Sequence, residues 1–291
     1  MQLALLALFA VIAVLLVVRA ARRDRVDYRR FKRLTTTRER QHVFAKWLRE
    51  AFLIFGGLSI AVLVASWQYI PRASASALAW PPLAWMSSHL SGGFAAGLAV
   101  GAGIAFVAVL VIPVLLLRRQ MGDIPTIGDI SSLLPRARGE VIYGAGLSLN
   151  AGLMEELLFR LGMPALLFGI TGNGALSFLI ASVLFGLLHI YQKFWGVLGA
   201  TILGLVFSLI YLFTDSIVVV IIVHALIDLR SLVFIPLVVG RVWKLREAPL
   251  PTEVAMPTPG PAPTEPDAAV RPEDATPPED AEETPATPRR D

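Results

Sequence analysis

An all-α, polytopic membrane protein is the fold class that three observations predict. Of 291 residues, 55% are hydrophobic and only 16% are charged. Mean hydropathy is +0.66. Long, mostly apolar runs recur along the chain, as membrane-crossing helices require and ordinary soluble domains avoid. The runs predict about seven spans with the N-terminus outside and the C-terminus inside, because every Lys/Arg-rich connection then lies on one side of the bilayer. Only Arg72 falls on the other. The formal charge of +4 hides a split: eleven acidic and three basic residues from position 247 onward give −8, so residues 1–246 carry +12. The basic residues sit beside apolar runs, where they set topology, and no nucleic-acid partner is expected. The absence of cysteine excludes disulfides, thiolate catalysis and Cys-ligated metal.

Residues 2–18 are almost wholly apolar, and the positive charge follows them: ten Arg or Lys lie between Arg19 and Arg40. A signal peptide has the reverse order, so a first span is predicted. The basic segment is expected to be helical and partly surface-lying, with Tyr28 and Phe31 at the headgroups. A second span fits 51–70, flanked by Trp47 at one end and by Trp67 and Tyr69 at the other, as interfacial anchors. Residues 71–92, with one Arg and no Lys, read as an external loop. A third span fits 93–117, with Gly93, Gly97 and Gly101 as a close-packing stripe. A polar, Pro-containing inner linker follows at 120–140. The fourth span starts near Val141 and is expected to continue, kinked at Pro164, to Ile170, which puts Glu155 about midway. Thr171-Gly172-Asn173-Gly174 turns the chain. A fifth span, 175–191, contains His189, and a sixth, 196–213, carries Gly196, Ala200 and Gly204 as another packing stripe. Thr214-Asp215 turns outside, and a seventh span, 216–237, contains His224, Asp228 and Arg230.

The chain therefore divides into N-terminal membrane helices with basic connections (1–139), a core (140–240) and an acidic tail (247–291). The tail holds twelve of the twenty prolines and too few large apolar groups to offset ordering entropy, so a solvated, disordered segment is expected.

The chemistry concentrates in the core. Glu155-Glu156-Leu157-Leu158-Phe159-Arg160 puts three ionisable groups into an apolar helix, where each costs at least ~2.5–3.5 kcal/mol. Glu156 and Arg160, four apart, share a face and can neutralise each other. Glu155 points about 100° away and is left to face a cavity, where a desolvated carboxylate suits a general base. Ser182, Phe185 and His189 share one face of the fifth span; His224 and Asp228 share one face of the seventh. A neutral His beside a carboxylate can hold an attacking water, and a second His, supported by Asp228, can donate to an oxyanion. His42 and His89 lie near helix ends or in loops and are given no role, nor is Arg230. Spacing alone leaves hydrolysis, ion translocation and substrate binding open.

Glu155-Glu156-x-x-x-Arg160, Phe185-x-x-x-His189 and His224-x-x-x-Asp228, in that order, resemble the EExxxR, FxxxH and HxxxN/D motifs of the CPBP intramembrane proteases, the CAAX-protease and bacteriocin-processing group. The resemblance covers residues 140–240. It implies a helical membrane protease with a cavity open to the cytosol. Glu155 and His189 would activate water, His224 and Asp228 would stabilise the oxyanion, and Glu156 and Arg160 would shape the site. Two departures stand out. Asp228 replaces an Asn, and an ionised Asp cannot donate to an oxyanion, so it would orient His224 or be protonated. Leu161 stands where many members have Gly. The expected protein is a multi-pass endopeptidase of a bacterial cell membrane, acting on a peptide or membrane-tethered protein without a cofactor. Zinc remains an alternative, with His189, His224 and Glu155 as its ligands. A non-proteolytic scaffold or immunity-type protein competes with this reading. A proton-coupled transporter competes less well, since no inverted repeat is seen.

Overall fold

A computed structural model describes residues 2–89 and 131–238, together with 101, 103, 104, 106–108, 110–112 and 115. The helices are α1 (Gln2–Val18), α2 (Arg25–Phe31), α3 (Thr37–Ser66), α4 (Ile70–Leu78), α5 (Pro81–His89), α6 (Arg138–Glu156), α7 (Met163–Thr171), α8 (Gly174–Leu187), α9 (Lys193–Thr214) and α10 (Ile217–Leu229). Among the described residues there is no strand. The described residues between 101 and 115 are helical, whereas most of the expected third span, the linker to residue 130 and the acidic tail lie outside the described residues. Among the described residues, four helical runs are long and apolar enough to cross a membrane: Gln2–Phe31, Thr37–Leu78, Ile190–Thr214 and Ile217–Val238.

Local chemistry sets the helix ends. Thr36 accepts from the Glu39 amide at 3.3 Å and donates to its carboxylate at 2.7 Å, an N-cap that starts α3 well before the expected residue 51. Gly172, at φ 69°, ends α7, and the Asn173 side chain then caps α8 through the Leu176 amide at 3.0 Å. Ser216 caps α10 in the same way after Asp215 closes α9 at φ 49°. Both predicted turns are thus present.

Other elements differ from the sequence reading. The expected loop at 71–92 contains α4 and α5. Residues 138–171 do continue past Pro164, but the irregularity is a π-helical turn at Leu157–Gly162, in which the Met163 amide bonds five residues back to Leu158. Pro164 stands just after that turn, at the start of α7, where the ladder already changes register. α8 ends at Leu187, so His189 lies beyond it, in a short 3₁₀ connection. Tyr28 and Phe31 are buried within the protein in a cluster with Phe44.

Small residues bring the site helices together. A Cβ on Gly152 of α6 would lie 2.9 Å from Ala225 Cβ and 3.0 Å from the Ile221 carbonyl of α10. Gly204 of α9 meets Phe185 and Ser182 of α8, and Ser182 and Ser208 share a hydrogen bond of 3.1 Å across the same seam. At Gly196, by contrast, the three atoms nearest to an added Cβ all belong to Gln192, its neighbour in the chain. On the other flank Ser59 of α3 donates to the Met154 carbonyl at 3.2 Å, stitching α3 to the residue before the glutamate pair.

One buried ion pair anchors the start of α6. Arg40 donates through Nε to Glu140 at 3.0 Å, and through Nη1 and Nη2 to the Ser132 and Leu134 carbonyls at 3.2 Å. Glu140 also accepts from the Arg136 amide at 3.0 Å, and the guanidinium lies 4.4 Å from the Phe31 ring centroid. Arg40, which in the sequence is one more basic residue of a membrane-flanking cluster, is a structural clamp between α3 and α6.

Candidate active site

Glu156 is the hub of the polar cluster. Its side chain is fully buried. One carboxylate oxygen lies 2.9 Å from Arg160 Nε, and the other accepts from His224 Nδ1 at 2.5 Å. The Arg160 contact is off line for a hydrogen bond, so charge and packing hold it. The packing is aromatic: the guanidinium carbon lies 4.5 Å from the Phe185 centroid and 5.1 Å from that of Phe207. Phe207 also covers the His224 ring at 5.0 Å. The i,i+4 pairing expected from sequence is therefore present, and it survives the wider turn that carries Arg160. The Glu156–His224 bond was not visible in the sequence. It depends on how closely α6 approaches α10 at Gly152.

His224 sits between two carboxylates. Nδ1 faces Glu156, and Nε2 lies 3.6 Å from Asp228, beyond hydrogen-bond reach. Asp228 is the more exposed of the two, at 33% for its side chain against 0% for Glu156. Support of His224 thus comes first from Glu156, with Asp228 as a looser second carboxylate on the open side. A second π-helical turn follows at Arg230–Phe234, so the helix of the glutamate pair widens at Arg160 and the helix of His224 and Asp228 widens just after Asp228.

Glu155 is half-buried and lies within electrostatic reach of His224, Asp228, Glu156 and Arg160. His189 joins the same neighbourhood through Asp228, His224 and Arg160. Its Nδ1 lies 3.0 Å from the Phe185 carbonyl. A carbonyl can only accept, so Nδ1 carries a proton, and in the neutral form of the ring Nε2 is the lone pair. The six residues singled out by sequence therefore converge on one region. Two residues that sequence reasoning did not assign join them: Phe207, which packs on both Arg160 and His224, and Tyr191, which faces His189. Phe207 is one apolar residue in an apolar helix and carries no sequence signal. Tyr191, two residues after the motif histidine, carries a weak one.

Among the described residues, no three His, Asp or Glu side chains form a group that could hold a metal ion. Glu155, His189 and His224 do not make such a set.

Residues 137–230 match the family model described as Rce1-like, type II CAAX prenyl endopeptidase. The match runs from the residue before α6 to the residue after α10 and contains all six candidate side chains. No curated protein and no solved structure matched the chain.

Proposed function

We propose, from the premise that residues 137–230 make this chain a member of the CAAX-protease (CPBP) family, that it is an intramembrane endopeptidase in which Glu155 activates the attacking water. The observation that carries this reading is the division of labour within the Glu-Glu pair. Glu156 is used up by Arg160 and His224, whereas Glu155 is half-buried beside them with no such partner among the described residues.

In the proposed reaction a water lies between the Glu155 carboxylate and His189 Nε2, both acceptors, so its two hydrogens are engaged and its lone pair faces the substrate carbonyl. Glu155 takes a proton as the water oxygen bonds to the carbonyl carbon and the C=O electrons move onto oxygen. His224 Nε2–H donates to that oxyanion. With Nδ1 already donating to Glu156, this requires the imidazolium form. Its charge and that of Arg160 then balance Glu156 and Asp228. Asp228, acceptor-only when ionised, balances and orients the ring. When the tetrahedral intermediate collapses, the C–N bond breaks and Glu155 returns its proton to the leaving amine.

The remaining proposals concern setting. The chain crosses the membrane about seven times, N-terminus outside and C-terminus inside, with the site opening on the cytoplasmic side of a bacterial cell membrane. Exposed arginines at 22, 25, 29, 30 and 33 fit that side. The substrate is a peptide or a membrane-tethered protein, and no metal is used.

The test is cleavage of a peptide library by the purified full chain in lipid nanodiscs. Cleavage is expected from wild type and should be lost, at least ~100-fold, in a folded Glu155→Gln variant. Retained cleavage in that variant removes Glu155 as the base. Activity that vanishes on exhaustive chelation and returns with zinc would overturn the metal-free mechanism.

A further inference from the structure

His189 is the candidate residue that no helix holds. α8 stops at Leu187, and His189 follows at φ −89° and ψ 17°. Its backbone amide bonds to the Gly186 carbonyl at 2.9 Å, and its ring is tied at one atom, Nδ1, to the Phe185 carbonyl. One hydrogen bond fixes one ring position and leaves the plane of the imidazole to be set by packing.

That packing comes from two rings. Phe185 lies 5.0 Å away at 53°, and Tyr191 packs against the imidazole in an offset stack, with centroids 6.1 Å and planes only 26° apart. Tyr191 is itself held from two directions. Gln192 Nε2 donates to its hydroxyl at 2.9 Å, and the Tyr28 ring of α2 meets it edge-on at 5.5 Å and 67°. Tyr28 is 3% exposed and belongs to a cluster with Phe31 and Phe44, so it forms a fixed wall. Lys193, just after Gln192, adopts φ 66° and ψ −170°, a conformation that an L-residue rarely adopts. Such strain persists where surrounding contacts over-determine the backbone.

We infer that Tyr191, backed by Tyr28, is a positioning residue for His189, and that α2, outside the family-matched stretch, thereby forms a wall of the active site. The catalytic part of this inference rests on the protease reading above; the packing part does not. Tyr191 touches no reacting atom. It holds the imidazole plane so that Nε2 points at the water shared with Glu155.

Two readouts on the full chain in nanodiscs separate these parts. In the first, diethyl pyrocarbonate carbethoxylates histidines and the extent at His189 is read by peptide mass spectrometry. Tyr191→Ala uncovers that side of the ring, and the His189 rate should rise several-fold while His224, 4% exposed and bonded to Glu156 in the same site, is unchanged. Tyr191→Phe keeps that side covered and should react like wild type, and Tyr28→Leu should shift His189 in the same direction as Tyr191→Ala. In the second, kinetics on a cleaved peptide should show kcat falling roughly 10–100-fold in Tyr191→Ala with KM little changed, and restored in Tyr191→Phe. An unchanged His189 rate in both Tyr191→Ala and Tyr28→Leu overturns the positioning claim, as does a Tyr191→Phe variant as impaired as Tyr191→Ala. If wild type cleaves nothing, the protease reading fails, while the His189 rates still decide the packing.

Discussion

Glu156→Gln isolates the hub of the site. The amide keeps the carboxylate's size and one oxygen that can still accept from His224 Nδ1. What it removes is the charge 2.9 Å from Arg160 Nε. Arg160 is 1% exposed, and its three nitrogens have no hydrogen-bonding acceptor among the described residues, so Glu156 is the charge that compensates it. Removing one partner of a buried pair costs ~3–5 kcal/mol, because the other charge is left uncompensated. For a domain of this size that lowers the unfolding midpoint by on the order of 10 °C. Arg160→Met alone should be milder, since Glu156 keeps His224. The double variant removes both charges and leaves an apolar side chain between Phe185 and Phe207, so it should regain stability to within ~1 kcal/mol of wild type. The assay is thermal and denaturant unfolding of the purified chain in one detergent, arranged as a double-mutant cycle, with an expected coupling of ~2–3 kcal/mol. A Glu156→Gln variant within ~0.5 kcal/mol of wild type, or additive effects in the cycle, would refute the hub.

Three further outcomes follow from the packing. Gly152→Val should lose ~1–3 kcal/mol and most activity, since its side chain meets Ala225 and the Ile221 carbonyl, whereas Gly57→Val, with nothing within 4 Å, should be near neutral; both are read by unfolding and cleavage assays. Glu140→Leu should cost ~3–5 kcal/mol by stranding Arg40, and Arg40→Met in the same chain should recover most of it in unfolding measurements. Lys193→Gly should raise stability by about 1 kcal/mol, as release of backbone strain outweighs the added entropy of glycine, and an unfolding midpoint that falls would contradict the strain.

What was legible in the sequence was whatever local chemistry determines. Gly172 and Asn173, Thr214 and Asp215 gave turns where the structure has them, because left-handed caps and side-chain N-caps are read from a few adjacent residues. The pairing of Glu156 with Arg160 followed from helical spacing. Contacts between distant elements were not legible. Arg40 looked like a headgroup residue because nothing near it in sequence reveals Glu140, a hundred positions on. Glu156 reaches His224 only because Gly152 lets α10 approach, and a glycine in an apolar helix does not say which helix it will meet. The end of α8 at Leu187 was missed because Leu188, His189 and Ile190 are apolar enough to continue the pattern. That short stop turns His189 from a helix-face residue into one that depends on Tyr191.

The central claim is that Glu155 serves a hydrolytic reaction at this polar cluster. It is tested most directly by comparing peptides in membrane and soluble fractions of cells that carry either wild type or Glu155→Gln at equal expression. The account predicts a defined set of cleavage products present with wild type, absent with Glu155→Gln, and matched by accumulation of their uncut precursors. Identical peptide sets in the two strains, with both proteins folded and at equal level, would contradict it.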